Sequence, residues 1–428
     1  MKVLVLGAAV SGRAAASLAR RRGHEVAVYD ADTACAAALR DEGFVVHSGA
    51  WTAHHVAGAD LVVASPGFPE VGQPIRDALG LGVPLVSEME FAAGNLRAPY
   101  AAVTGTNGKT TVVSAAAAMV EASGRKVVAA GNIGTALSDV VDEPWDAVVV
   151  EASSFQLRFV DRFHPIAAAV TNVAPDHLDW HGSFEAYATA KARIIENQTG
   201  DDLLAYDADD PGASALAAMS PSRKVAVSGR TLPAGGYGIV DGDLVLGSLQ
   251  VPAPDLGAAF LADLAIAAAI AGALGASAEG ISAAVTAFAP GAHRRAVVGS
   301  WGGVTWVDDS KATNPHAAVE AASAYPSVVL LAGGRNKGLD LRPLAEAATV
   351  SHFVGIGEAA GELAAMVPSA RFTYAAGMDE AVAAAARIAR AGDVVLLAPG
   401  CASFDMFTSY GQRGDAFAAA ARRLMGDE

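Results

Sequence analysis

Short apolar runs recur along the chain, each closing on glycine or polar residues and alternating with stretches of helical character. Val3–Leu6 leads into the turn Gly7–Gly12 and a helical pattern over Arg13–Arg22. Glu25–Tyr29 ends at Asp30, and Leu61–Ala64 ends in Ser65-Pro66-Gly67. Further along, Pro99–Val103 precedes a glycine turn and an Ala-rich helical run, Val112–Glu121. Ala147–Val150 closes on Glu151, and Ile166–Thr171 closes on the polar stretch Asn172–Asp179. The last third repeats the pattern with Val304–Val307, Val328–Leu331, Phe353–Ile356 and Val394–Leu397. Continuous apolar strands alternating with helices predict an α/β fold of mostly parallel sheets. Three units are expected: a Rossmann-like unit over 1–93, a central P-loop unit over 94–290 and a second Rossmann-like unit over 291–428. Phe260–Ala276, the longest apolar stretch, carries Asp263 in its middle and predicts a buried helix rather than a membrane span.

In such folds, polar residues at the C-terminal ends of strands line the ligand crevice. The segment Val103-Thr104-Gly105-Thr106-Asn107-Gly108-Lys109-Thr110-Thr111 stands between a strand and a helix. Its backbone N–H groups and helix N-terminus suit phosphates, its lysine adds charge, and a Thr hydroxyl suits Mg²⁺. The turn is shorter than the common P-loop pattern, which would place a glycine where Val103 stands. Glu151 is a candidate second anchor for the cation beside Thr110; alone, such a glutamate is more often a solvated cap. Gly7-Ala8-Ala9-Val10-Ser11-Gly12 resembles a dinucleotide fingerprint with Ala9 in place of its middle glycine, and Asp30 stands where a ribose-binding acid is expected. That turn favours a nucleotide or nucleotide sugar over NAD. Cationic and hydroxyl groups at the strand ends of the last unit suit a small anionic substrate. Gly291–Arg295 reads as a hinge whose arginines reach transferred phosphate.

Composition narrows the picture. The chain has 428 residues, enough for two to four domains, and its hydrophobic fraction of 52% comes largely from Ala and Val. A net charge of −15 argues against nucleic acid as a partner. Two cysteines, Cys35 and Cys401, imply a reducing compartment, with Cys401 read as packing. The apolar N-terminus lacks a cleavage context and is read as a first strand. A cytoplasmic protein without membrane attachment is expected.

Taken together, Thr104–Thr111, Gly131-Asn132-Ile133-Gly134, Glu151–Leu157, Asp176-His177-Leu178-Asp179, Tyr187–Ile194, Asp309–Asn314 and Cys401–Asp405 resemble the Mur ligase family over nearly the full chain. SSFQL, DSKATN and CASFD are similar to the branch that joins D-glutamate to UDP-N-acetylmuramoyl-L-alanine at the expense of ATP, in peptidoglycan precursor synthesis. The resemblance implies a phosphate site of Gly105, Thr106, Asn107, Gly108, Lys109, Thr110 and Thr111, with His293, Arg294 and Asp309 completing the ATP site. It implies two Mg²⁺ ions held by Thr110, Glu151, His177 and Lys191, the last as a CO₂-derived carbamate, because an ammonium has no acceptor to offer a metal. It places UDP on Gly7, Ser11 and Gly12, with Asp30 near the uracil and Ser65 and Gly67 at the floor. Asn132, Ser153 and Gln156 would meet the sugar-nucleotide substrate. His177, Thr313, Lys337, Ser403 and Tyr410 would meet D-glutamate, with Lys311 beside the reacting groups. A monomer is expected. The family's His-Asn…Asn segment is missing, since Gly257–Asp263 holds no asparagine; adenine contacts are in doubt there, with Asp263 a substitute for one. The alternatives are another Mur-type or folylpolyglutamate-type ligase, or a nucleotide-binding protein without ligase chemistry.

Overall fold

Successive residues of the strands turn to opposite faces, and both faces are covered. In the first sheet Val3, Val5 and Val28 join one apolar cluster, whereas Leu4, Leu6 and Tyr29 join another. In the third, Val328, Leu330 and Ala332 face one side and Val329 and Leu331 the other. This is why the strands read as unbroken apolar runs in the sequence.

The computed structural model describes residues 1–426. The first sheet consists of β1 (Lys2–Leu6), β2 (Glu25–Asp30), β3 (Val45–Ser48), β4 (Leu61–Ala64) and β5 (Leu85–Ser87), in the order β3-β2-β1-β4-β5 and parallel throughout. The second comprises β6 (Tyr100–Thr104), β7 (Val127–Gly131), β8 (Ala147–Glu151), β9 (Ala167–Val170), β10 (Leu203–Asp207), β11 (Arg223–Val227), β12 (Tyr237–Val240), β13 (Asp243–Leu246) and β14 (Leu249–Pro252). Its order is β14-β13-β12-β11-β10-β9-β6-β8-β7, with antiparallel pairing only at β12–β13 and β13–β14. The third comprises β15 (Ala296–Trp301), β16 (Val304–Asp308), β17 (Val328–Gly333), β18 (Val350–Ile356), β19 (Phe372–Tyr374) and β20 (Val394–Gly400), ordered β15-β16-β20-β17-β18-β19. Only its edge strand β15 pairs antiparallel.

The expected α/β class and mostly parallel sheets are present, and the strand ends fall within a few residues of the sequence reading. The apolar run expected at 260–276 is the helix Ala258–Ala273. Two compact units emerge. One holds Met1–Val173 and Trp180–Phe288, with the first two sheets; the other holds Ala174–Asp179 and the chain from Ala289 onward, with the third. No helix among the described residues is long and apolar enough to cross a membrane.

Candidate active site

The phosphate loop follows β6 and opens the helix Lys109–Ala122. Gly105 takes φ +151° and Gly108 φ +84°. At Gly105 glycine is obligatory for a second reason: a Cβ would stand 1.8 Å from Thr171 Oγ1. The end of β9 braces the loop from outside. Thr106 N–H donates to the Asn172 carbonyl at 2.9 Å, and Asn107 N–H to Asn172 Oδ1 at 2.8 Å. Two lysines converge on the loop. Lys109 Nζ donates to the carbonyls of Gly105 (2.8 Å) and Thr106 (2.9 Å), and Lys191 Nζ donates to the same Gly105 carbonyl at 2.6 Å. Lys191 comes from the helix Phe184–Ala192, is 1% exposed, and lies 4.4 Å from the centre of the Tyr187 ring. The Tyr187 hydroxyl meets Thr106 Oγ1 at 3.0 Å. A buried ammonium is desolvated and needs such acceptors.

Glu151 ends β8, whose register sets it beside Val103 on one flank and Gly131 on the other. Its Oε1 accepts from Asn132 Nδ2 at 3.0 Å, while Oε2 is buried with no hydrogen-bond partner. A dry carboxylate oxygen left without a donor suits a hard cation, so Glu151 fits the expected magnesium anchor. Thr110, in the first turn of the phosphate-loop helix, offers a hydroxyl on the same loop. No group of three or more His, Cys, Asp or Glu side chains among the described residues is placed to hold a metal; any cation here draws on hydroxyl, substrate or other oxygens as well.

The turn after β1 has a different dressing. Gly7 takes φ +109°, and a Cβ on Gly12 would stand 1.9 Å from the Gly7 carbonyl oxygen. Asp30 latches this turn: one carboxylate oxygen accepts from Ala8 N–H at 2.7 Å and the other from Asp32 N–H at 2.9 Å. Ser65 crowds Gly7 and leaves its buried hydroxyl without a partner. Ser11 is half-buried and Gly67 is exposed. Ser153 and Gln156, expected to meet substrate, are occupied with each other. They form a capping box that starts the helix Ser154–Leu157, with Ser153 Oγ at 2.8 Å from Gln156 Oε1.

His177 counts with the second compact unit, apart from Thr110, Glu151 and Lys191 in the first. It sits at φ +52°, and its neighbour Asp176 joins it to the third sheet's loops. Asp176 accepts from Asn314 Nδ2 at 3.1 Å and pairs with Lys337 Nζ at 3.5 Å. Burial pushes the Asp176 carboxyl up, but Lys337, His177 and Asn314 outweigh it and hold it below the usual range. Of the other amino-acid-site candidates, Lys311 meets both Tyr410 and Thr313. Lys311 Nζ lies 3.4 Å from the Tyr410 hydroxyl, Thr313 N–H donates to the Lys311 carbonyl at 2.8 Å, and Ser403 is buried, its carbonyl capping Met406 and Phe407.

The expected hinge 291–295 is tied into the second unit, and the break between units falls earlier, at Phe288–Ala289. His293 takes φ +59°; its Nδ1 lies 2.7 Å from Asp308 Oδ2 and its Nε2 3.8 Å from Asp415 Oδ1. Gly414 lets the helix Tyr410–Met425 press on this pair, since a Cβ there would stand 2.2 Å from His293 Nδ1. Arg295 N–H donates to Asp309 Oδ1 at 3.3 Å. Burial raises the Asp309 carboxyl to about 7 against the pull of Arg295 and Arg294.

Sequence reasoning missed Asp308, Gly414 and Arg413. Arg413 is 1% exposed and donates to Ser310 Oγ, the Ser310 carbonyl and the Cys401 carbonyl, fastening the DSKATN and CASFD loops together. A lone arginine in a helix carries no signal of that role. Cys401 is buried and its thiol is pushed up to about 12, as packing requires.

Comparison with known proteins gives the family of the chain. A family model described as the Mur ligase middle domain matches residues 103–232, and one described as the Mur ligase glutamate ligase domain matches residues 293–401. The UDP-N-acetylmuramoylalanine–D-glutamate ligase of Frankia casuarinae is 45% identical over 451 residues, covering 100% of this chain and 95% of its own. The enzyme of the same name from Mycobacterium tuberculosis is 39% identical, covering 99% and 96%. Among solved structures, the UDP-N-acetylmuramate–alanine ligase of Thermotoga maritima superposes with a TM-score of 0.58 at 18% identity, over 100% of both chains. A pseudomurein peptide ligase type C from Methanothermus fervidus gives 0.59 at 17% identity, over 93% and 97%. These last two likenesses speak to fold alone.

Proposed function

We propose a D-glutamate-adding ligase activity for this chain, which belongs to the Mur ligase family. ATP, UDP-N-acetylmuramoyl-L-alanine and D-glutamate give ADP, phosphate and a new amide. A carboxylate is a poor electrophile, so its oxygen first attacks the γ-phosphoryl group of ATP. The acyl phosphate then offers a good leaving group to the amine of D-glutamate. Each step brings anions together, which makes positioning and charge neutralisation the chain's main tasks.

The observation that carries this reading is the phosphate loop with Lys109 and Lys191 on the Gly105 carbonyl and Glu151 Oε2 unpartnered at the next strand end. The loop N–H groups and Lys109 hold the phosphates, while Thr110 and Glu151 hold magnesium. Bound there, the cation neutralises phosphate charge and orients the γ-phosphoryl group. His177 and a carbamate on Lys191 are our candidates for a second cation. The amine of Lys191 now donates to the Gly105 carbonyl; carbamylation joins the neutral amine to CO₂ with loss of one proton and leaves one N–H on Nζ for that carbonyl. The turn of Gly7, Ser11 and Gly12 takes the UDP moiety, and Thr313, Lys337, Ser403 and Tyr410 take D-glutamate, with Lys311 beside the reacting groups. His293, Arg294 and Asp309 serve the nucleotide. On this reading 1–93, 94–290 and 291–428 bind sugar nucleotide, ATP and amino acid in turn, in a cytoplasmic monomer.

The test is phosphate release by purified protein with ATP and UDP-N-acetylmuramoyl-L-alanine across D- and L-amino acids. D-glutamate alone should stimulate; a response to L-alanine or meso-diaminopimelate without one to D-glutamate refutes the assignment.

A further inference from the structure

Asp263 places a carboxylate on a helix, Ala258–Ala273, whose other buried residues are Phe, Leu, Ile and Ala. It is 8% exposed. A carboxylate is costly in such surroundings unless something holds it. The side chain reaches the phosphate loop: a Cβ built on Gly108 would stand 2.5 Å from Asp263 Oδ1 and 3.1 Å from Oδ2. The carboxylate therefore rests against the Gly108 backbone. Gly108 is the N-cap of Lys109–Ala122, is left-handed, and has no side chain with which to cap that helix. The positive end of a helix favours a nearby anion. The same helix end is what a nucleotide's phosphates use.

We propose that Asp263 is a positioning residue of the phosphate loop that makes nucleotide binding there depend on the accompanying divalent cation. Its contact fixes the left-handed turn at Gly108. Its charge opposes bare phosphates at the same helix end; neutralisation of those phosphates by magnesium removes most of the opposition. This inference rests on reading the loop as the nucleotide site.

The test compares parent and Asp263→Asn by calorimetric titration with ADP, in excess EDTA and in excess Mg²⁺. The amide keeps the shape and one acceptor oxygen but drops the charge. Metal-free ADP should bind the variant at least fivefold more tightly than the parent, while Mg·ADP affinity changes less than twofold. Equal metal-free affinities, or a parallel change in both forms, overturns the inference, because a purely structural contact would move the two together. If Asp263→Asn does not fold, Asp263→Ser removes the charge with a smaller polar side chain and is read the same way. A parent that binds neither form of ADP refutes the nucleotide reading itself, which separates the two failures.

Discussion

Two strand–glycine–helix turns in the first compact unit share a backbone plan and differ in what surrounds it. After β1, Gly7–Gly12 is closed by close approach, with Gly12 against the Gly7 carbonyl, and is latched by an acid, Asp30. After β6, Gly105–Gly108 is braced by Thr171 and Asn172 and carries two lysines, with the unpartnered Glu151 oxygen at the adjacent strand end. On the reading proposed above both take phosphate, although Ala8 N–H in the first donates to Asp30 and Thr106 and Asn107 N–H in the second donate to Asn172. Only the second gathers the cations and the metal-ready carboxylate that phosphoryl transfer needs. On the proposed reading, the difference teaches that the turn decides where phosphate is held, and the neighbouring strand ends decide whether it is held or transferred.

The comparison can be broken most severely at Gly105. Gly105→Ala drives a Cβ into Thr171 and should lower ATP-dependent phosphate release by about 10³-fold, since misplaced phosphates lose both positioning and charge neutralisation. Circular dichroism and a melting curve should show the fold retained; near-parental turnover would contradict the loop's role. Next, Lys191→Ala should lower kcat by about 10²-fold through loss of a metal-supporting group, with the KM for the UDP substrate little changed. In the parent, a ¹³C-bicarbonate NMR signal lost in this variant would mark the carbamate; full activity of the variant would exclude it. A smaller and opposite pattern is expected at the first turn. Gly12→Ala should raise the KM for the UDP substrate about tenfold, equivalent to about 1.4 kcal/mol, and leave the KM for ATP alone. A rise in the KM for ATP instead would erase the distinction between the turns.

The smallest effect concerns stability. The Asp309 carboxyl is raised to about 7 by burial from an ordinary value of 3.8. Below the ordinary value both folded and unfolded states hold the proton. As pH rises toward 7 the unfolded state releases it first, so stability falls across that window and levels off above it. Asp309→Asn should therefore gain a few degrees in Tm over the parent at pH 8 and less at pH 4.5. An equal gain at both pH values would contradict the assignment.

Much of this was legible in the chain because sheets buried on both faces leave continuous apolar runs, and because strand ends in such folds carry the polar chemistry. The extension β12–β14 was not read, although Asp241-Gly242, at φ +49° and +87°, is the turn chemistry of a two-residue hairpin. The flanking strands are short and only moderately apolar, so periodicity alone passed over them. Ser153 and Gln156 carried the S-x-x-Q signature of a capping box, which the structure shows and which competed with their reading as substrate contacts. Asp263 and Gly108, Arg413 and Ser310, and Asp176 and Lys337 are joined across long stretches of chain. No local pattern announces such pairs; only the folded chain brings them together.

The central claim is that ATP at Gly105–Thr111 activates a carboxylate. It is tested most directly with UDP-N-acetylmuramoyl-L-alanine labelled with ¹⁸O in its terminal carboxylate. After turnover with ATP and D-glutamate, mass spectrometry of the released phosphate should find one ¹⁸O atom carried over from the substrate. Phosphate free of label, formed alongside the amide product, would contradict the account.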